Sequence, residues 1–201
     1  MKIMFLRHGL TNGNLEKRYI GTTDEPLCNC GIMQLKNKRF PHFDVLISSS
    51  ALRCIQTAET LFPAQEIIIE KDFRECDFGD FEGKNYMELS NDTYYQKWID
   101  SGGNLPFPNG ESPADFRKRC ISAFERTISK YKFSSSAAFI VHGGTIMAIL
   151  ENMLFHTKAI LTGIVKTVTV ISVNGTARNF TIQRYYETLA TNIADNTRIS
   201  A

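Results

Sequence analysis

His8 and His142 each close an apolar run and each is followed by glycine, in Ile3-Met4-Phe5-Leu6-Arg7-His8-Gly9 and in Ala137-Ala138-Phe139-Ile140-Val141-His142-Gly143-Gly144. An imidazole can serve near neutral pH as nucleophile, base or charged donor. Arg7 stands beside the first histidine, and Arg53 stands in the first turn of a helical pattern that follows another apolar run, Asp44-Val45-Leu46-Ile47. Guanidinium groups present planar N–H donors to phosphate oxygens, and glycine lets a backbone approach closely. One histidine after a strand is weak evidence of a site; two such endings with arginines at hand describe a pocket for a dianion.

To bring those groups together the chain needs a parallel sheet. Apolar runs that end on glycine suit strands buried on both faces, and open α/β sheets bind ligands beyond the carboxyl ends of such strands. Strands are expected at Lys2–Leu6, Asp44–Ile47, Glu66–Ile69 (short, near an edge) and Ala137–Val141. Helical patterns fill the gaps: Gly31–Arg39, stopped by Phe40-Pro41, then Ala51–Phe62 with a stripe of Leu52, Ile55, Ala58, Glu59 and Leu61, and Thr145–Phe155. Ser112-Pro113-Ala114-Asp115 reads as N-cap, first helical position and third-position carboxylate of a helix running to about Tyr131, with Phe116, Cys120, Ala123, Phe124, Thr127 and Ile128 on one face. Val165–Val173 and Ala177–Tyr185 around Asn174-Gly175 read as a β-hairpin whose edge is a candidate surface for a second copy. The tail from Glu187 is polar, a short helix or disordered.

The result is an α/β fold, a three-layer α/β/α sandwich with a mostly parallel central sheet, formed as a single domain over 1–201. A loop with one helical turn follows Gly9, in which Asn14 caps a turn and Arg18 and Asp24 pair. Residues 73–111, with short helices at Tyr86–Leu89 and Tyr94–Ile99, form an insertion over the active site, a lid or substrate wall. Its aromatics Phe81, Tyr86, Tyr95, Trp98 and Phe107 would suit a partly apolar, nucleoside-like group or else form the insertion's own core.

Composition narrows the classes. The 201 residues carry 43% hydrophobic and 22% charged side chains and a formal net charge of +2, ordinary for a soluble globular domain. No dense Lys/Arg run marks a nucleic-acid arm, no apolar stretch approaches the roughly 18 residues of a membrane span, and the opening run is shorter than the about 7–15 residues of a signal-peptide core. A cytoplasmic protein that engages neither nucleic acid nor membrane is expected. Five cysteines, Cys28, Cys30, Cys54, Cys76 and Cys120, are an odd number without zinc-type pairs and read as reduced thiols. Cys28-Asn29-Cys30 is the close pair, a metal or redox site against plain loop or core thiols.

Several ordered blocks resemble the histidine phosphatase superfamily, phosphoglycerate mutase-like branch: Leu6-Arg7-His8-Gly9 with Thr11, Asn14, Arg18, Gly21, Asp24, Pro26-Leu27 and Gly31; Ser48-Ser49 with Leu52, Arg53 and Gln56-Thr57-Ala58; Arg74-Glu75 with Phe78-Gly79 and Glu82-Gly83; and Val141-His142-Gly143-Gly144. The resemblance implies that His8 is a nucleophile forming a phosphohistidine. It implies that Arg7, Asn14, Arg53 and His142 hold the phosphoryl oxygens, and that Glu75 gives the leaving group its proton, with Glu82 the competing donor. Substrate contacts would fall to Thr22 and Glu82. Two guanidiniums and an imidazolium would supply the positive charge, so neither metal nor cofactor is expected, and a carboxyl among Phe73, Phe78 and Phe81 would have a raised pKa.

The superfamily holds phosphatases and mutases. Cys76-Asp77 stands where mutases of this branch carry a basic motif, and Glu75 to Lys84 contains four acids against one lysine, a poor site for a bisphosphate. That segment and Pro108-Asn109-Gly110-Glu111-Ser112 look most like the alpha-ribazole phosphatases of cobalamin synthesis and their broad-specificity relatives. A metal-independent phosphomonoesterase acting on a small-molecule phosphate ester is expected, with a mutase as runner-up and a catalytically silent phospho-ligand binding module as the remote alternative. The sequence leaves the oligomeric state open.

Overall fold

A computed structural model describes residues 1–155, 167–171 and 178–180. Six strands form one sheet: β1 (Lys2–Arg7), β2 (Val45–Ser49), β3 (Ile68–Glu70), β4 (Ser136–Val141), β5 (Thr167–Ile171) and β6 (Arg178–Phe180). Their order is β3-β2-β4-β1-β5-β6, with every pairing parallel except that of β5 with β6. The α/β fold with a mostly parallel sheet is therefore as expected, and β3 lies at an edge. The antiparallel pairing of β5 with β6 agrees with the expected hairpin, while its Asn174-Gly175 turn and the tail from Glu187 lie outside the described residues.

Apolar side chains alternate across the sheet, and both sets are covered. Ile3, Phe5, Val45, Ile47, Ala137, Phe139 and Val141 join one core with Phe116, Cys120 and Phe124 of α5 (Pro113–Lys130) and Ile146 and Ile149 of α6 (Gly143–Phe155). Leu6, Leu46, Ala138 and Ile140 join a second core with Cys54 and Ala58 of the long helix after β2 (Leu52–Leu61). This gives three layers, and explains why β1 and β4 read as unbroken apolar runs. Phe5, Phe124 and Phe139 meet at centroid distances of 5.2–5.7 Å in the middle of the first core.

The remaining helices are α1 (Asn12–Leu15), α2 (Asn29–Lys36), α3 (the Leu52–Leu61 helix) and α4 (Thr93–Asp100). The α2 helix begins and ends earlier than the expected Gly31–Arg39, because the Cys28 Sγ caps it by accepting from the Gly31 N–H at 3.3 Å. On α3 the expected stripe holds at Ala58, which is buried, and in part at Ile55 and Leu61, but Leu52 is 37% exposed and Glu59 is exposed, whereas Arg53, Cys54 and Thr57 are buried. A helix packed at a ligand site turns polar residues inward, and apolar periodicity cannot see that. Instead of a helix at Tyr86–Leu89, the Asn85 carboxamide accepts from the Met87 and Glu88 N–H groups in a turn, while Tyr94–Ile99 lies within α4.

Candidate active site

Register delivers the two histidines. Arg7 of β1 pairs with Val141 of β4, and the His8 N–H continues the ladder by donating to the Val141 carbonyl at 3.0 Å. The two rings emerge side by side beyond the strand ends, with centroids 5.2 Å apart and nearly edge to face. The His8 Nδ1 lies 2.8 Å from the Gly9 carbonyl oxygen, which can only accept, so Nδ1 carries the proton and Nε2 presents its lone pair. Burial, then the charges of Arg53 and Arg7, push the His8 pKa down to about 3. The ring is neutral at any physiological pH, the state a nucleophile needs.

His142 is wholly buried. Its Nε2 lies 2.9 Å from the Ser49 Oγ and 3.6 Å from the Cys54 Sγ. Burial first, then His8, Arg53, Arg7 and Arg119, hold its pKa well below the usual histidine range. That direction favours a neutral ring in the ligand-free site; an arriving dianion would supply the counter-charge that the expected imidazolium needs.

Both arginines are at the site, in different roles. Arg7 is exposed and lies over Gly143, where an added Cβ would sit 3.6 Å from its Nε; among the described residues its guanidinium makes no hydrogen bond or ion pair. Arg53 is 1% exposed and donates to the backbone carbonyls of Thr23 (2.8 Å), Gly21 (3.0 Å) and Ile20 (3.4 Å). Its Nε is buried without a partner, an unmet donor that a phosphate oxygen would satisfy. Asn14 caps a turn as expected, its Oδ1 accepting from the Thr11 N–H at 3.3 Å. The expected Arg18–Asp24 pair does not form: Arg18 pairs with Glu16 and Glu88, and Asp24 accepts from the Leu52 N–H at the start of α3.

Glu75 approaches from the insertion. Its Oε2 accepts from the Gly144 N–H at 3.2 Å and its Oε1 from the Cys76 N–H at 3.1 Å. A Cβ at Gly144 would come within 2.5 Å of Oε1, so glycine there makes room for the carboxyl. Burial raises the Glu75 pKa against the pull of those N–H groups and of Arg53 and Arg7, which favours a protonated acid as expected. Glu82 is corrected: its Oε1 accepts from the Gly21 (2.8 Å) and Thr23 (2.9 Å) N–H groups, so it ties down the loop that Arg53 grips from the other side. Thr22 sits exposed at the tip of that loop.

The aromatic excursion largely forms its own core. Phe81, Tyr95 and Phe107 are 1–6% exposed and pack with Trp98, Phe78 and Tyr19, while Tyr86 is 52% exposed. Only Phe78 and Phe107 of these also face a pocket of about 220 Å³ beside Glu75, where Phe116, Met147 and Gly144 complete an apolar wall and Arg117 pairs with Glu151 at 3.4 Å. Sequence reasoning missed Ser49, Thr57 and Cys54 as site residues. Thr57 accepts from the Gly9 N–H at 2.9 Å and donates to the Arg53 carbonyl at 2.6 Å, fixing the turn after His8. Cys28 and Cys30 have their sulfurs 2.8 Å apart, and no cluster of three or more metal-ligating groups exists among the described residues. Nor is any described helix long and apolar enough to cross a membrane.

A family described as the histidine phosphatase superfamily (branch 1) matches residues 3–188. Phosphoglycerate mutase-like protein 4 of Arabidopsis thaliana is 27% identical over 164 residues, covering 75% of this chain and 70% of the relative. The adenosylcobalamin/alpha-ribazole phosphatase of Escherichia coli (strain K12) is 23% identical over 162 residues, covering 77% of this chain and 79% of the relative. Among solved structures, phosphoserine phosphatase of Entamoeba histolytica in complex with 3-phosphoglyceric acid matches with TM-score 0.67 and 26% identity over 77% of this chain and 80% of that one.

Proposed function

The chain belongs to the histidine phosphatase superfamily (branch 1), whose members include phosphatases and mutases, and from that premise we propose that it is a metal-independent phosphomonoesterase with a phosphohistidine intermediate on His8. The carrying observation is the pairing of a neutral His8, its Nε2 free, with a buried Glu75 whose pKa is raised. In the first step Nε2 forms a bond to phosphorus as the ester P–O bond breaks, and Glu75 gives its proton to the departing alkoxide. In the second, the Glu75 carboxylate takes a proton from water as its oxygen attacks phosphorus, the N–P bond breaks, and phosphate leaves. Arg7, the unmet Nε of Arg53, the Asn14 amide and His142 would hold the equatorial oxygens, so that catalysis is chiefly positioning and charge complementarity.

Hydrolysis is favoured over phosphate shuttling by what lies beyond the acid. The pocket beside Glu75 is apolar and its Arg117 is already paired, a poor place for a second phosphate or a substrate carboxylate. An alcohol with a flat apolar body suits it better, and alpha-ribazole 5′-phosphate, a nucleotide of cobalamin synthesis, is the leading substrate in a cytoplasmic setting. The test is a panel of phosphate esters assayed in EDTA and ranked by kcat/KM. Turnover that persists in EDTA and ranks alpha-ribazole 5′-phosphate above sugar phosphates is expected. Loss of activity in EDTA would sink the metal-free mechanism, and isomerisation of 3-phosphoglycerate faster than any hydrolysis would make the protein a mutase.

A further inference from the structure

Among the described residues no side chain hydrogen-bonds to Glu75. Its two oxygens take only backbone N–H groups, and residues 74–78 between the two short 3₁₀ turns form neither helix nor strand. A general acid must sit within a fraction of an ångström of its target, so an irregular segment carrying one needs to be fixed from outside. We propose that Arg119, clamped by Glu111, is the positioning residue for Glu75. This inference rests on the phosphatase reading above.

Every N–H of the Arg119 guanidinium is committed to that task. Nη1 donates to the carbonyls of Asp72 (2.7 Å) and Arg74 (3.1 Å), and Nη2 reaches the Glu75 carbonyl at 3.5 Å. Nε and Nη2 donate to the two oxygens of Glu111 at 2.9 and 2.6 Å. Five donors meet five acceptors, three of them the carbonyls of Asp72, Arg74 and Glu75 in the strip that ends at Glu75. The fork is nearly buried, with 12% and 13% of the two side chains exposed, and lies 5.2 Å over the Phe116 ring that also borders the pocket. Glu111 is itself seated on the far side of the strip, its N–H donating to the Asp77 carbonyl at 2.9 Å. The strip is thus held between α5 and the 107–111 turn. Lysine, a point charge with three donors on a flexible stem, could not reproduce this fork.

The readout that separates positioning from simple scaffolding is the leaving group. An alkoxide needs the Glu75 proton, whereas p-nitrophenolate departs without one, and kcat/KM reports only the steps through phosphoryl transfer to His8. Arg119→Lys is expected to lower kcat/KM for alkyl phosphates by about 10–30-fold and for p-nitrophenyl phosphate by less than about 3-fold. In a Glu75→Gln background the same change is expected to cost no further loss with alkyl esters, since the residue it acts through is already gone. Equal losses with both esters, or an undiminished loss in the Glu75→Gln background, would overturn the role. Should Arg119→Lys fail to fold, Glu111→Gln, which keeps an acceptor for the fork, must show the same ester discrimination at smaller size. Hydrolysis that survives His8→Ala would instead sink the phosphatase reading itself, and absence of any hydrolysis by the wild type overturns both.

Discussion

His8 and His142 occupy equivalent places, each one residue past the end of a central strand and each followed by glycine, yet their surroundings assign them opposite work. The His8 ring is bonded to its own neighbouring carbonyl, which can only accept, so its tautomer is dictated and one nitrogen is left bare. The His142 ring meets a hydroxyl and a thiol, Ser49 and Cys54, groups that both donate and accept. Such partners tolerate either protonation state. A backbone carbonyl suits the nucleophile proposed for His8; a hydroxyl suits a ring proposed to take up charge when a dianion arrives. The comparison teaches that two near-identical sequence endings diverge through the third residue each ring meets.

Breaking the nucleophile should have the largest effect. His8→Ala is expected to reduce kcat by on the order of 10⁴-fold or more and to abolish the acid-labile phosphoenzyme seen when a radiolabelled ester is quenched in base. His142→Ala, which removes charge stabilisation but no bond-making atom, is expected to cost about 10²–10³-fold while phosphoenzyme still forms. Equal losses with no trapped intermediate in either variant would erase the distinction. Ser49→Ala sharpens it further: a loss of roughly tenfold, about 1.4 kcal/mol, is expected in kcat with phosphoenzyme formation retained, because one hydrogen bond to His142 is gone while the His8 tautomer is untouched.

The smallest effect is thermodynamic. Both histidine pKa values are lower folded than unfolded, so below pH 6.5 the unfolded chain binds more protons and stability falls as pH drops, for His8 down to about 3. Glu75 acts in the opposite sense: its raised pKa means the folded state holds a proton the unfolded one loses above pH 4.5, so its contribution falls as pH rises. Two groups against one predict a melting temperature that declines from pH 6.5 to pH 5. Orthovanadate, a phosphate mimic, should flatten that decline by raising the His142 pKa; an unchanged slope would count against a chargeable His142.

Much of this site was legible because its members sit at strand ends, where sequence neighbours remain spatial neighbours. Arg7, His8, Arg53 and His142 could be read from apolar runs and what followed them, whereas Glu75 was singled out by the family resemblance alone. Ser49, Thr57 and Arg119 were not, since each acts across the sheet or between elements: Ser49 meets a ring 93 positions away and Arg119 holds carbonyls 44 to 47 positions away. Thr57 and Cys54 lie outside the apolar stripe expected on their helix, so periodicity gave no sign that they face the site. Glu82 misled for the reverse reason, because a carboxylate that ties two backbone N–H groups looks, in sequence, the same as one that meets a substrate. The excursion's aromatics could be located but not sorted between core and wall, a distinction that depends on burial alone.

The place of β1 in the sheet carries a consequence for how the enzyme is made. It emerges first from the ribosome, yet its two neighbours are β4, from Ser136, and β5, from Thr167. At about 5–20 residues per second, the nucleophile's strand waits on the order of 10–30 s before both partners exist. Until then an apolar segment with two unpaired edges is exposed in the nascent chain. The rings of His8 and His142 are brought side by side by the pairing of β1 with β4, and β5 then covers the other edge of the strand that carries His8.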